Sequence, residues 1–230
     1  MGLMKEHQKK VLDNPDAALA QKVTPATAQD MRGLGANTVL ARFTKMIRQD
    51  DSLLREIKSH EERNEQKALL IPKYEAYLQS YLEGDKRYKN PVLVQIMVWL
   101  FDTNEIEQAL QLAVLAIDVN DELPDAFGSK LQDWVLDTVF DWCEKEYEIK
   151  RSAEPFLSDT IEHIETIDTF DQIKAKYQKL AGHYALHAEN WQKAVEHYVY
   201  AEKLNPKIQV KTKRETAQKK LDELAKANET

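Results

Sequence analysis

One spacing constrains this chain more than any other, and it occurs twice. In "NEIEQALQLAVLAIDVN", Ile106, Ala109, Leu110, Ala113, Ala116 and Val119 fall at helical intervals. Eighty-five residues on, in "ENWQKAVEHYVYAEKLNP", the same intervals carry Trp191, Ala194, Val195, Tyr198, Ala201 and Leu204, and Asn120 is matched by Asn205. Side chains at this spacing share one face of an α-helix. Alanine on such a face removes bulk, so a second helix backbone can approach closely. Each stretch therefore predicts a helix packed against a close neighbour.

The preceding segment supplies that neighbour in both cases. "PVLVQIMVWLF" leads through "DTN" into the first stretch, and "FDQIKAKYQKLAGHYALHA" leads through Glu189–Asn190 into the second. Two helices joined by a tight turn form a helical hairpin, the unit of tetratricopeptide-like solenoids. Two hairpins separated by other helices are too few and too far apart for a regular array. The expected fold is all-α, a helical bundle with tetratricopeptide-like hairpins. Six glycines and seven prolines in 230 residues leave the helical pattern little interrupted, and no alternating β-branched runs compete with it. The length suffices to bury one large helical core or two small ones.

Cys143 stands alone, which excludes an intramolecular disulfide and fits a reducing cytoplasm. The start, "MGLMKEHQKK", has charge with no apolar stretch behind it, so no signal peptide is read there. "PVLVQIMVWLF" is too short to cross a bilayer and reads as a buried helix. The net charge of −7 is unevenly distributed: residues 1–50 balance at +3, 51–90 at zero, 91–170 at −14 and 171–230 at +4. An acidic middle cannot wrap a polyanion uniformly, so any nucleic-acid contact is expected at the two ends.

Four regions follow from pattern and charge. Residues 1–36, with Pro15, Pro25, Gly33 and Gly35, read as a mobile N-terminal arm. Residues 37–89 read as N-terminal helices for DNA binding, oligomerisation or both, the second of them capped by Asp50 or Asp51 and interrupted before Pro72. Residues 90–207 form an acidic helical-hairpin domain, opened by Asn90 as cap and Pro91 as first helical residue, with Ser158 capping a short helix after Pro155. Residues 208–230 form a charged, largely exposed C-terminal helix.

The residues that carry chemistry are few. Asp133, Asp137 and Asp141 recur every four positions on one predicted helix, and clustered carboxylates can hold Mg²⁺ for a nuclease. One straight helix, however, spreads them by about 6 Å per step, and a solvated acidic face opposite Leu131, Trp134, Leu136 and Phe140 is the preferred reading. His183 and His187 have the i, i+4 spacing of a zinc pair, but "HYALH" lacks the glutamate of a metalloprotease and no third ligand suggests itself beyond His197 or Glu189. They read as packing or surface groups. "RGLGANT" lacks the lysine and strand of a phosphate loop, and no nucleophile elbow is present. Trp99, Trp134, Trp142 and Trp191 sit at core spacing.

Basic side chains are the more informative set. Arg42, Lys45, Arg48, Arg55, Lys58, Arg63 and Lys67 recur at helical spacing across two consecutive predicted helices, and two such helices joined by a tight turn can place one in a DNA major groove. Lys211, Lys213 and Arg214 near the C-terminus are candidates to assist, along with Lys219 and Lys220. Alone, either group also reads as an ordinary solvated face.

The order of helices then matters. "VQIMVWLFDTNEIEQALQLAVLAI" and "KYQKLAGHYALHAENWQKAVEHYVYAEKLNPKIQVKTKRE" resemble, in order and spacing, the middle and closing segments of small terminase subunits of cos-site tailed temperate phages, and the likeness covers roughly residues 38–221. It implies a protein that recognises the cos packaging site on concatemeric double-stranded phage DNA. It further implies a homo-oligomeric ring, delivery of the DNA to a large terminase subunit, and a place in the cytoplasm of the bacterial host. Mg and ATP would belong to the large subunit, with no cofactor on this chain, although small subunits of the family often carry the name endonuclease subunit. Two alternatives stand beside this expectation. One is a metal-dependent endonuclease using Asp133, Asp137 and Asp141. The other is an adaptor binding peptides near Trp191 and Tyr198, without DNA.

Overall fold

The structure, a computed structural model, describes residues 35–85, 87–124 and 127–228. The stretch expected as a mobile arm lies outside these residues except for Gly35 and Ala36. The described residues form helices and no strands, as the spacing predicts. They divide between Leu131 and Gln132 into two compact units.

The first unit contains α1 (Ala36–Glu56), α2 (His60–Leu70), a 3₁₀ turn (Ile71–Tyr74), α3 (Glu75–Glu83), α4 (Pro91–Asp102) and α5 (Ile106–Asp118). Its centre is aromatic. Phe43 stacks on Tyr77 with ring centroids 4.4 Å apart, and Tyr74 meets the fully buried Trp99 edge-on at 6.1 Å. Asn90 caps α4, its Oδ1 accepting from the backbone N–H groups of Val92 and Leu93 and from the Tyr77 hydroxyl. A sequence boundary at 89/90 separates α4 from α1–α3. In the structure α4 packs back on α1 and α2 within one unit, because its apolar face completes the Phe43–Tyr74–Tyr77 core.

One sequence expectation fails here. Asp50 and Asp51 do not cap a second helix, since α1 runs through them for twenty-one residues to Glu56. Asp50 lies on the buried side of α1, where its carboxylate takes the Lys73 ammonium at 2.6 Å and accepts a hydrogen bond from the Tyr74 hydroxyl. A carboxylate so neutralised tolerates burial in mid-helix. The cap of α2 is Ser59, whose Oγ accepts from Glu62 N–H at 3.3 Å.

The second unit contains most of α6 (Leu131–Glu148), then α7 (Phe156–Thr166), α8 (Asp171–His187), α9 (Trp191–Leu204) and α10 (Lys211–Asn228). Tyr177 and Tyr184 of α8 donate to the carbonyls of Leu136 and Cys143 on α6, at 2.6 and 3.0 Å. Ser158 does not cap α7; it lies in the first turn, and the Glu154 carboxylate accepts from its N–H and hydroxyl. Trp99 is fully buried, whereas Trp134, Trp142 and Trp191 are half-buried.

The eighty-five-residue register persists in the backbone. In the α4–α5 turn, Thr103, Asn104 and Glu105 donate to the carbonyls of Trp99, Phe101 and Leu100, and Asn104 has φ 65°. In the α8–α9 turn, Ala188, Glu189 and Asn190 donate to Tyr184, Leu186 and Ala185, and Glu189 has φ 57°. These are one helix-ending motif with a left-handed residue at matching positions, and the same motif closes α5 at Asn120 and α6 at Lys150. The packing inside differs. A Cβ on Gly182 would lie 2.5 Å from Tyr198 Cε1, so only glycine admits the fully buried Tyr198 ring. One register earlier, the large residue is Met97 on the first helix and the small one Ala113 on the second, both buried.

Candidate nucleic-acid interface

Helix α1 has two unlike faces. Phe43, Ile47, Asp50 and Leu54 are buried, while Arg42, Lys45 and Arg48 project to solvent on the other side. No acidic residue occurs among the fourteen positions from Ala36 to Gln49. The outer face also carries uncharged polar groups. A groove of about 700 Å³ is lined by Asn37, Lys45, Arg48, Gln49 and Ser52 of α1, with Pro91 at the start of α4. Sequence reasoning missed Asn37, Gln49 and Ser52, although Gln49 and Ser52 continue the stripe of Lys45 at i+4 and i+7.

The remaining N-terminal cations part company with these. Arg55, on the last turn of α1, is exposed but paired with Asp51 at 2.7 Å. Lys58 is exposed in the link between α1 and α2. The Arg63 guanidinium turns back to the end of α1 and donates to the Ile57 carbonyl at 2.5 Å. Lys67 is 9% exposed, its ammonium 2.7 Å from Asp102 and donating to Asn64 at 3.2 Å. Arg63 and Lys67 are thus removed from the outer face, because each ties α2 to a neighbouring helix end.

Four of the C-terminal cations are engaged too. Arg214 pairs with Glu202 at 2.9 Å, Lys211 lies 3.9 Å from Glu215, and Lys220 lies 3.0 Å from Glu223. Lys213 Nζ is 3.0 Å from His183 Nε2, and His183 Nδ1 is 2.8 Å from the Tyr198 hydroxyl oxygen. An ammonium only donates, so Nε2 accepts and the Nδ1–H donates to Tyr198. Burial, with Lys213 and Lys179 adding, pushes His183 down to about 4. His183 is therefore a neutral packing group, and His187, one turn on and exposed, meets the same Tyr147 ring.

The acidic alternative is not gathered into a site. Asp137 pairs with Lys176, Asp133 is half-buried and Asp141 exposed. Among the described residues no three His, Cys, Asp or Glu side chains are placed to hold a metal ion. Tyr198, expected beside a peptide groove, is fully buried under Gly182. Unit two has a groove of about 630 Å³ beside these positions, lined by residues that include Tyr147, Leu157, Tyr184, Asn190, Lys193 and His197.

Comparison with known proteins places this geometry. The family model described as phage small terminase subunit matches residues 44–172. The chain belongs to that family. The "Terminase, endonuclease subunit" of Escherichia phage P2 is 24% identical over 185 residues, which are 80% of this chain and 75% of that protein. The "Probable terminase, endonuclease subunit" of Haemophilus phage HP1 is 33% identical over 112 residues, 48% of this chain and 40% of the relative. The match to HP1 therefore spans well under half of that protein's length. No solved structure matches. The small-terminase match begins within α1 and takes in Lys45, Arg48 and Lys58, but stops at the start of α8. No helix among the described residues is long and apolar enough to cross a membrane.

Proposed function

We propose that this chain is the DNA-recognition and assembly subunit of a packaging terminase. It binds the cos region of concatemeric phage DNA, assembles into a homo-oligomeric ring in the host cytoplasm, and passes the duplex to a large subunit. That partner supplies the ATP-driven motor and the Mg²⁺-dependent cutting; this chain needs no cofactor of its own. The observation that carries the reading is the outer face of α1, where Arg42, Lys45 and Arg48 face solvent over fourteen acid-free positions. Lys58 extends the same positive region, while Arg63 and Lys67 hold the fold. Each phosphate neutralised releases condensed counterions, so each such contact adds about one unit to the slope of log affinity against log salt. Repetition around a ring multiplies weak contacts into avidity. The acidic balance of residues 91–170 repels the duplex. A gel-shift titration at several salt concentrations tests this. Alanine at Arg42, Lys45, Arg48 and Lys58 lowers affinity and flattens the slope; an unchanged slope refutes the assignment.

The names of the P2 and HP1 relatives favour a second reading, in which the subunit itself cuts DNA. Asp133, Asp137 and Asp141 would then hold Mg²⁺. Their spread along one helix and the pairing of Asp137 with Lys176 argue against it. Nicking of cos DNA by the purified subunit, abolished in Asp137→Asn, would establish it.

A further inference from the structure

Resting on that reading's assembly of copies, we propose that the free end of α10 in one copy lies in the unit-two groove of a second. Leu221, Leu224 and Ala225 sit over the floor of that groove, and Asp222 meets Lys193.

The groove has the shape of a helix seat. Its floor is a face of α8 on which Ala181, Ala185 and Ala188 recur at i, i+4 and i+7, leaving room for a second backbone. One wall is α9, with Asn190, Lys193 and His197; the other is α7, with Ser158, Ile161 and Glu162. Both stripes continue one turn to Tyr200 and Glu165, whose hydrogen bond at 3.1 Å joins the walls at that end. From Asn190 to His197 the α9 wall runs about 10 Å, two turns of helix. The end of α10 carries a matching edge. From Gln218 to Ala227 every residue but Leu221 is exposed, and Leu224 is 50% exposed. Leu221, Leu224 and Ala225 fall at i, i+3 and i+4, an apolar edge that one copy leaves half in water.

Charge sets the direction. Lys220 and Asp222 stand about 100° to either side of Leu221 on a helix of 3.6 residues per turn. On α8, Gln178 and Gly182 face α9, whereas Tyr177 and Tyr184 face α6, which fixes the side of the floor on which each wall stands. Let the end of α10 lead from the α8–α9 turn toward the Tyr200–Glu165 bridge. Asp222 then falls on the α9 wall with Lys193, and Lys220 on the α7 wall with Glu162, two exposed groups of opposite sign. Run the other way, each charge meets its like. In the favoured direction α10 is parallel to the second copy's α9 but antiparallel to its own, so the two copies face each other and the exchange is reciprocal.

Sedimentation velocity and native mass spectrometry of the full-length protein, without DNA and over a concentration series, test this. Leu224→Glu weakens the pairing of copies about a hundredfold, since each pair loses two buried leucines. Lys193→Glu and Asp222→Lys each weaken it about tenfold through like charge. Mixing those two variants restores it, because each groove then finds an end of opposite charge. If all three variants pair as the unaltered protein does, the groove does not hold α10 and the inference fails, with assembly through another surface intact. If they pair normally but lose capture of the large subunit, the groove belongs to that partner and the inference fails as well. If the unaltered protein is monomeric throughout, with and without duplex, the assembly reading fails with it. Lys193 and Asp222 are exposed and Leu224 half-exposed, so the fold survives each change, and circular dichroism verifies that.

Discussion

Two basic helices mark the ends of the described chain, and they hold their charge differently. On α1, Lys45 and Arg48 are exposed within a stretch, Ala36–Gln49, that has no acidic residue. On α10, Arg214 is taken by Glu202, Lys213 by His183, and Lys220 by Glu223. The sequences look alike in composition. What separates them is the second partner: α1 meets its neighbours through apolar groups, the buried Asp50 and a hydrogen bond from Gln95 to Asp51, whereas α10 meets α9 around Ala194, Tyr198 and Ala217 beside the Arg214–Glu202 ion pair. Charge on a helix is evidence of a polyanion site only when the fold leaves that charge unanswered.

The largest expected effect tests this contrast directly. Arg42→Ala, Lys45→Ala and Arg48→Ala together lower the salt slope of duplex binding by about three units, while Lys211→Ala, Lys213→Ala and Arg214→Ala together lower it by less than one. Fluorescence anisotropy over a salt series measures both. Next in size is a packing change. Gly182→Ala drives Tyr198 from its seat against α8, and the His183–Lys213 contact with it, for a loss of about 1–3 kcal/mol seen as a lower Tm. Duplex affinity stays where it was, because α1 is unaffected.

A smaller effect concerns the cations of α2. Lys67→Met breaks the pairing with Asp102, which is partly exposed and regains water, so the cost is about 1 kcal/mol in chemical denaturation with the salt slope unchanged. The smallest is a pH effect. His183 binds its proton near 4 when folded and near its ordinary 6.5 when unfolded, so the unfolded chain takes up more protons between those values. Stability is therefore full above about pH 6.5 and falls as pH drops toward 4. His197, also lowered by burial, acts in the same sense. His183→Gln, which keeps a hydrogen bond to Tyr198, makes the melting temperature less sensitive to acid across this window.

The fold was legible wherever the information is local. Helical spacing, the paired alanines, Asn90 before Pro91, and the glycine-poor runs all report on residues within a few turns of one another. Asp50 and Asp51 misled because a pair of aspartates before a serine and two leucines looks like a cap. Asp50's true partners, Lys73 and Tyr74, arrive from the 3₁₀ turn and turn a cap signal into a buried ion pair. Lys67 was misplaced for the same reason, since Asp102 is thirty-five positions away. The candidate interface was half legible. Arg42, Lys45 and Arg48 stood out by charge, whereas Asn37, Gln49 and Ser52 carry none and gain meaning only from sharing a groove with Lys45 and Arg48.

Lysine acetylation footprinting with and without cos duplex, read by mass spectrometry of the whole protein's peptides, bears most directly on where the genome is held. The α1 assignment predicts strong protection of Lys45 and Lys58, with Lys211, Lys219 and Lys226 as reactive as in free protein. Protection confined to α10, with Lys45 and Lys58 unchanged, would contradict it.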